Sequence, residues 1–136
     1  MASSDKQNGP YDIIGDIHGH SGALETLLES LGYKRKDRHY ENAEGRIAVF
    51  LGDYIDRGPN PRRVVEIVRG MVGAGQAHAI IGNHELNALC FHQTDAAGNP
   101  LRPHTEPKIR QHAATLEHFV DPYPDLWQET MEWFRT

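Results

Sequence analysis

Apolar positions fall at two periods along this chain. Leu24, Leu27, Leu28 and Leu31 stand at i, i+3, i+4 and i+7, between the candidate cap Ser21 and the stop residue Gly32. That spacing predicts a helix with one apolar face. Val64, Val65, Val68, Met71 and Val72 predict a second one. It starts at Asn60-Pro61, an N-cap followed by proline at the first helical position, and ends in Gly73–Gly75. Tyr11–Ile14, Ile47–Leu51 and His78–Ile81 are short runs that each end at a glycine, and each predicts a buried strand. A helix is predicted over Glu85–His92. Another starts at Pro107 with Ile109, Ala113, Leu116 and Val120 inward. A last one runs over Asp125–Phe134, with Leu126, Thr130, Trp133 and Phe134 on one side. The densely charged stretch Lys34–Arg46 predicts a loop or an exposed hairpin, and residues 1–10 a solvated, disordered tail.

The order is therefore β-α-β-α-β-α-α. Short apolar strands alternating with helices predict an α/β fold: a mostly parallel sheet flanked by helices and covered on both faces. Ligands of such sheets bind beyond the carboxyl ends of the strands.

At 136 residues the chain is one domain's worth of sequence. A net charge of −5 argues against a partner such as duplex nucleic acid, which demands a basic stripe. A single cysteine, Cys90, rules out an internal disulfide and fits a reducing compartment, so a cytoplasmic location is expected. The N-terminus MASSDKQNGP lacks the apolar core of a signal peptide. The longest apolar run, Ile47–Leu51, is far too short for a membrane span. Histidine, at nine residues, is the unusual component, and it directs attention to metal binding.

All three strands run into the same chemistry. The first leads to Gly15-Asp16-Ile17-His18-Gly19, the second to Gly52-Asp53-Tyr54-Ile55-Asp56-Arg57-Gly58, the third to Gly82-Asn83-His84-Glu85. A parallel sheet sets these tips side by side. Carboxylate, imidazole and amide oxygen suit Mn, Fe, Zn or similar divalent ions. Asp16 and His18, two residues apart in extended chain, leave on the same side and make a natural pair for one ion. Asp53 has two oxygens with which to bridge two ions, and Asn83 offers an amide oxygen to the second. Two such ions deprotonate a shared water and stabilise in-line displacement at phosphorus. Arg57 supplies a planar fork for phosphate oxygens. His84 is placed to protonate a leaving alkoxide, with Asp56 or Glu85 to orient it. The bland alternatives are a salt bridge of Asp56 with Arg57 or a backbone cap, and for Glu85 a favourable place in a helix first turn.

GDIHG, GDYIDRG and GNHE together resemble the motifs GD-x-HG, GD-x-x-DRG and GNHE of the calcineurin-like metallophosphoesterases. The DRG arginine makes the chain look like the branch of phosphoprotein phosphatases and diadenosine-tetraphosphatase-like enzymes. The resemblance implies a metallophosphoesterase α/β sandwich and a dinuclear site. Asp16 and His18 would bind the first metal, Asp53 would bridge, and Asn83 would bind the second. His84 would be the general acid, Asp56 its partner and Arg57 the phosphate ligand. It also implies a phosphorylated substrate: a phosphoprotein, a nucleotide or a dinucleoside polyphosphate.

The family closes its second metal with two further histidines, each after a later strand. Here His92, His104, His112 and His118 follow the last motif, and none of them follows an apolar strand. Residues 11–136 are therefore expected to hold the N-terminal half of the domain, truncated before the remaining ligands. Of the other histidines, including His20, His39 and His78, surface positions or satisfied packing roles are expected. The alternative to an enzyme is a catalytically incomplete fragment that acts only by binding.

Overall fold

The computed structural model describes residues 10–136; the expected tail, apart from Pro10, lies outside the described residues. Strand β1 (Tyr11–Ile14) leads through a loop to helix α1 (Ser21–Ser30). A small hairpin follows, β2 (Lys34–Lys36) antiparallel to β3 (His39–Glu41), as one of the two readings of the charged stretch expected. Then come β4 (Ile47–Phe50), α2 (Pro61–Gly73), β5 (Ala77–Ala79) and α3 (Asn83–His92). Helix α4 (Glu106–Thr115) continues through a wide π-turn at Leu116–Val120, and α5 (Pro124–Phe134) ends the fold.

The sheet is parallel, in the order β1-β4-β5. Tyr11 pairs with Ile47 and Ile14 with Phe50; Ala48 pairs with Ala77 and Phe50 with Ala79. This order runs with the chain, so successive right-handed crossovers place α1 and α2 on the same face. Leu24 and Leu28 from α1, and Val64, Ile67, Val68 and Met71 from α2, join Ile14, Ala48 and Phe50 in one core. Asn60 caps α2 as expected, its Oδ1 accepting the Arg63 N–H at 3.2 Å, with Pro61 in the first turn.

Coverage of both sheet faces was the expectation, and the sequential strand order defeats it. On the other face Ile13 is 70% exposed and Ile80 60%. β1 is accordingly half-buried rather than buried. Its inward residues are Ile14 and Asp12, and Asp12 is held by three donors: Arg46 Nη2 at 2.5 Å, Arg46 Nε at 3.0 Å and the Tyr33 hydroxyl at 2.8 Å. The Arg46 bond holds the Asp12 carboxyl below the usual carboxylate range against the opposing effect of burial.

Helix α4 departs from its apolar pattern in its first turns, while Leu116 and Val120 beyond it are half-buried and Val120 packs against the core. Ile109 and Ala113 are exposed, and the buried face carries His112, Thr115 and Phe119. In α5 the buried residues are Trp127, Thr130, Met131 and Phe134, while Leu126 faces out. Among the described residues no helix is long and apolar enough to cross a membrane.

Candidate active site

The two loops after β1 and β4 are joined along their backbones. Ile17 and His18 both donate N–H to the Asp53 carbonyl, at 3.1 and 2.8 Å, and Gly19 donates to that of Tyr54 at 2.8 Å. Gly58 returns a bond to the His18 carbonyl at 2.8 Å. This lacing holds a costly conformation. His18, Asp53, Asp56 and Arg57 all have positive φ, between 46° and 70°, which a side-chain-bearing residue adopts at a cost of order 1 kcal/mol or more.

The third loop is latched to the second by Glu85. Its carboxylate is fully buried and accepts three backbone N–H groups: Gly82 at 2.9 Å, Asp53 at 2.6 Å and Tyr54 at 2.9 Å. Burial pushes this carboxyl up, against the pull of the three bonds. The Asp53 side chain answers by accepting the His84 N–H on Oδ1 at 3.1 Å. Only glycine fits at position 82, because a Cβ there would stand 2.5 Å from Asp53 Oδ1.

These contacts bring three expected ligands together. One donor atom each from Asp16, His18 and Asp53 lies within 4.8 Å of the other two. His18 donates Nδ1–H to the Ile55 carbonyl at 3.0 Å, which fixes the tautomer and leaves Nε2 available as a donor atom to a metal. Two carboxylates and an imidazole are a fitting donor set for a borderline divalent ion. Asn83 is the exposed first residue of α3, next to His84, whose backbone already touches Asp53.

The His84 ring lies edge-on to His18, with centroids 4.6 Å apart. Its Nδ1 bonds Asp56 Oδ2 at 2.7 Å, and its Nε2 makes no hydrogen bond among the described residues. Asp56, not Glu85, orients this imidazole. Nor does Asp56 pair with Arg57, which is exposed and makes no ion pair among the described residues. The second oxygen of Asp56 accepts from His112 Nδ1 and from the Thr115 hydroxyl, both at 2.7 Å. Burial alone would raise the Asp56 carboxyl, but the bonds from His112, His84 and Thr115 outweigh it and hold the group low.

The later histidines lie away from the ligand cluster. His92 Nε2 meets His112 Nε2 at 3.0 Å, and His104 stacks on Phe91 and donates to its carbonyl at 2.7 Å. His118 is exposed beside Glu117. His112 and Thr115 are the site residues that apolar periodicity missed. Their signal was a face at i, i+3 and i+7, completed by Phe119, in which two of the three members are polar.

Asp16, His18 and Asp53 from two strand-end loops thus form a group that could hold a metal ion, beside a buried imidazole–carboxylate pair. The chain belongs to the calcineurin-like phosphoesterases, whose family model matches residues 9–136. Among its relatives is the asymmetrical bis(5′-nucleosyl)-tetraphosphatase PrpE of Halalkalibacterium halodurans, 42% identical over 54% of this chain and 30% of that protein. The PrpE protein of Bacillus subtilis is 42% identical over 68% of this chain and 36% of its own length. That of Oceanobacillus iheyensis is 45% identical over 54% and 29%. The chain thus spans about a third of the length of the curated relatives it matches.

Proposed function

We propose that this chain carries the metal- and phosphate-binding face of a dinuclear metal-dependent phosphoesterase. The observation that supports it is the meeting of the Asp16, His18 and Asp53 donor atoms within 4.8 Å, with the His84 ring against His18. Asp16 and His18 would hold the first ion, Asp53 would be shared, and Asn83 would serve the second. Ions of the Mn, Fe or Zn kind supply charge stabilisation at phosphorus and acidify the attacking water. Arg57 takes two phosphate oxygens with its planar fork. His84 gives a proton from Nε2 to the leaving oxygen, and ionised Asp56 on Nδ1 stabilises the imidazolium that gives it. Dinucleoside polyphosphates, the substrates named by the relatives, are the favoured class, ahead of phosphoproteins and simple nucleotides. The single cysteine fits an enzyme of the cytoplasm.

One observation favours a second reading, a module that binds without turnover. A second ion would receive only Asn83 and a share of Asp53, since His92, His104 and His112 are engaged elsewhere. On either reading Asp16, His18 and Asp53 would serve the first ion, and a second ion would need donors besides Asn83 and Asp53.

Calorimetric titration with Mn²⁺ tests this. The wild-type chain is expected to bind one equivalent, and Asp53→Asn to weaken that binding at least about tenfold. Hydrolysis of a dinucleoside tetraphosphate is then assayed in excess Mn²⁺. A wild-type chain that binds no ion overturns the proposal; ion binding without turnover selects the second reading.

A further inference from the structure

The Asp56–His84 pair has a third and a fourth member that lie outside the three motif loops. Asp56 is 3% exposed and sits at φ 69° in the laced loop. Its two oxygens divide their work. Oδ2 takes the His84 Nδ1–H. Oδ1 takes the His112 Nδ1–H and the Thr115 hydroxyl, both at 2.7 Å. The Thr115 oxygen also accepts the backbone N–H of Asp56 at 2.8 Å. One hydroxyl therefore ties the main chain and the side chain of the same left-handed residue.

Helix α4 is turned to make this possible. Its inward face gives up Ile109 and Ala113 for His112 and Thr115, and the π-turn begins at the very next residue. Such a turn shifts the phase of the helix, and Phe119 still reaches the core. A helix that buries two polar residues and exposes an isoleucine does so for what those residues grip.

We propose that His112 and Thr115 are positioning residues for the general acid: they hold the Asp56 carboxylate so that Oδ2 stays aimed at His84 Nδ1. Its catalytic meaning rests on the phosphoesterase reading; its geometry does not. A carboxylate with only one partner rotates about its last two side-chain torsions. With Oδ1 doubly bonded, that freedom is gone, and His84 keeps one ring orientation and one tautomer.

The test uses the full chain with ¹⁵N-labelled histidine, with and without Zn²⁺, and follows the His84 Nδ1–H proton by NMR. In the wild type it is expected to be strongly downfield and slow to exchange. Thr115→Val keeps the side-chain shape but removes both bonds, and His112→Phe removes the ring donor. Each is expected to move the resonance upfield and to speed its exchange about tenfold or more. Thr115→Ser restores the hydroxyl, and His112→Asn places an amide donor near the lost Nδ1–H, so both bring the signal back. A His84 signal that is unchanged in Thr115→Val, or in His112→Phe, overturns the proposal. A purely structural role would lower the melting temperature and leave the signal alone. Where the chain turns over, Thr115→Val is expected to lower kcat about tenfold on phenyl phosphate with KM unchanged. The loss is smaller on 4-nitrophenyl phosphate, whose leaving group needs no proton; equal losses on both overturn it. Absent turnover in the wild type counts against the phosphoesterase reading alone, because the NMR comparison still decides this one.

Discussion

Glu85 and Asp53 are bound through the backbone, 2.6 Å from carboxylate oxygen to amide nitrogen, although they come from different strand-end loops. The same carboxylate holds Tyr54 and Gly82, so one buried group sets the separation of the second and third motif loops. Glu85→Gln replaces one accepting oxygen with an NH₂ group that cannot accept. One of the three N–H groups is left buried without a partner, which costs about 1–3 kcal/mol. Urea unfolding is expected to show that loss, and a Mn²⁺ titration a roughly tenfold weaker site, because Asp53 moves with its backbone. An unchanged metal affinity would show that Glu85 supports the fold and not the ligand.

The motif loops were legible because glycine followed by a ligand-type residue is conspicuous after an apolar run. The helices α1 and α2 were legible from Leu24, Leu28, Val64 and Val68, which face the core as their spacing requires. α4 was not. Apolar periodicity assumes that the inward face meets hydrocarbon, whereas this face meets the Asp56 carboxylate and so selects His112 and Thr115. The inward place of Asp12 was not legible either: it points inward because Arg46 and Tyr33 are there to receive it, and both are distant in sequence.

On the proposed function, Arg57→Lys is expected to separate phosphate recognition from metal binding. Lysine meets the same left-handed backbone, so the substitution changes the head group at little conformational difference. An ammonium cannot present two parallel N–H groups. Inorganic phosphate, titrated in the presence of Mn²⁺, is expected to bind about tenfold more weakly, with Mn²⁺ affinity unchanged. Equal phosphate affinity would take Arg57 out of the site.

His92 gives the fold a pH dependence of its own. Burial pushes its imidazole down to about 4, helped by His112 and His104 and opposed by Asp56. The unfolded ring takes up a proton near pH 6.5, the folded ring only near 4. In that window the unfolded state binds more protons, so stability rises with pH. The contribution is whole above about pH 6.5 and is lost as pH falls toward 4, with a slope of up to about 1.4 kcal/mol per unit. Urea unfolding followed across this window is expected to be flatter for His92→Leu than for the wild type. Parallel curves for the two proteins would mean that other groups carry the acid limb.

The parallel pairing of β1 with β4 also sets when the site exists. Tyr11 has to find Ile47 across both α1 and the β2–β3 hairpin, and Ala48 has to find Ala77 across α2. No local segment of chain holds both Asp16 and Asp53, and no early hairpin brings them together. Loop closure of this kind is slow and comes before its contacts reward it. The ligand cluster is therefore a product of the final topology, assembled only when the long-range strands have docked. Metal capture, followed in time after dilution from denaturant, becomes a clock for the completion of folding.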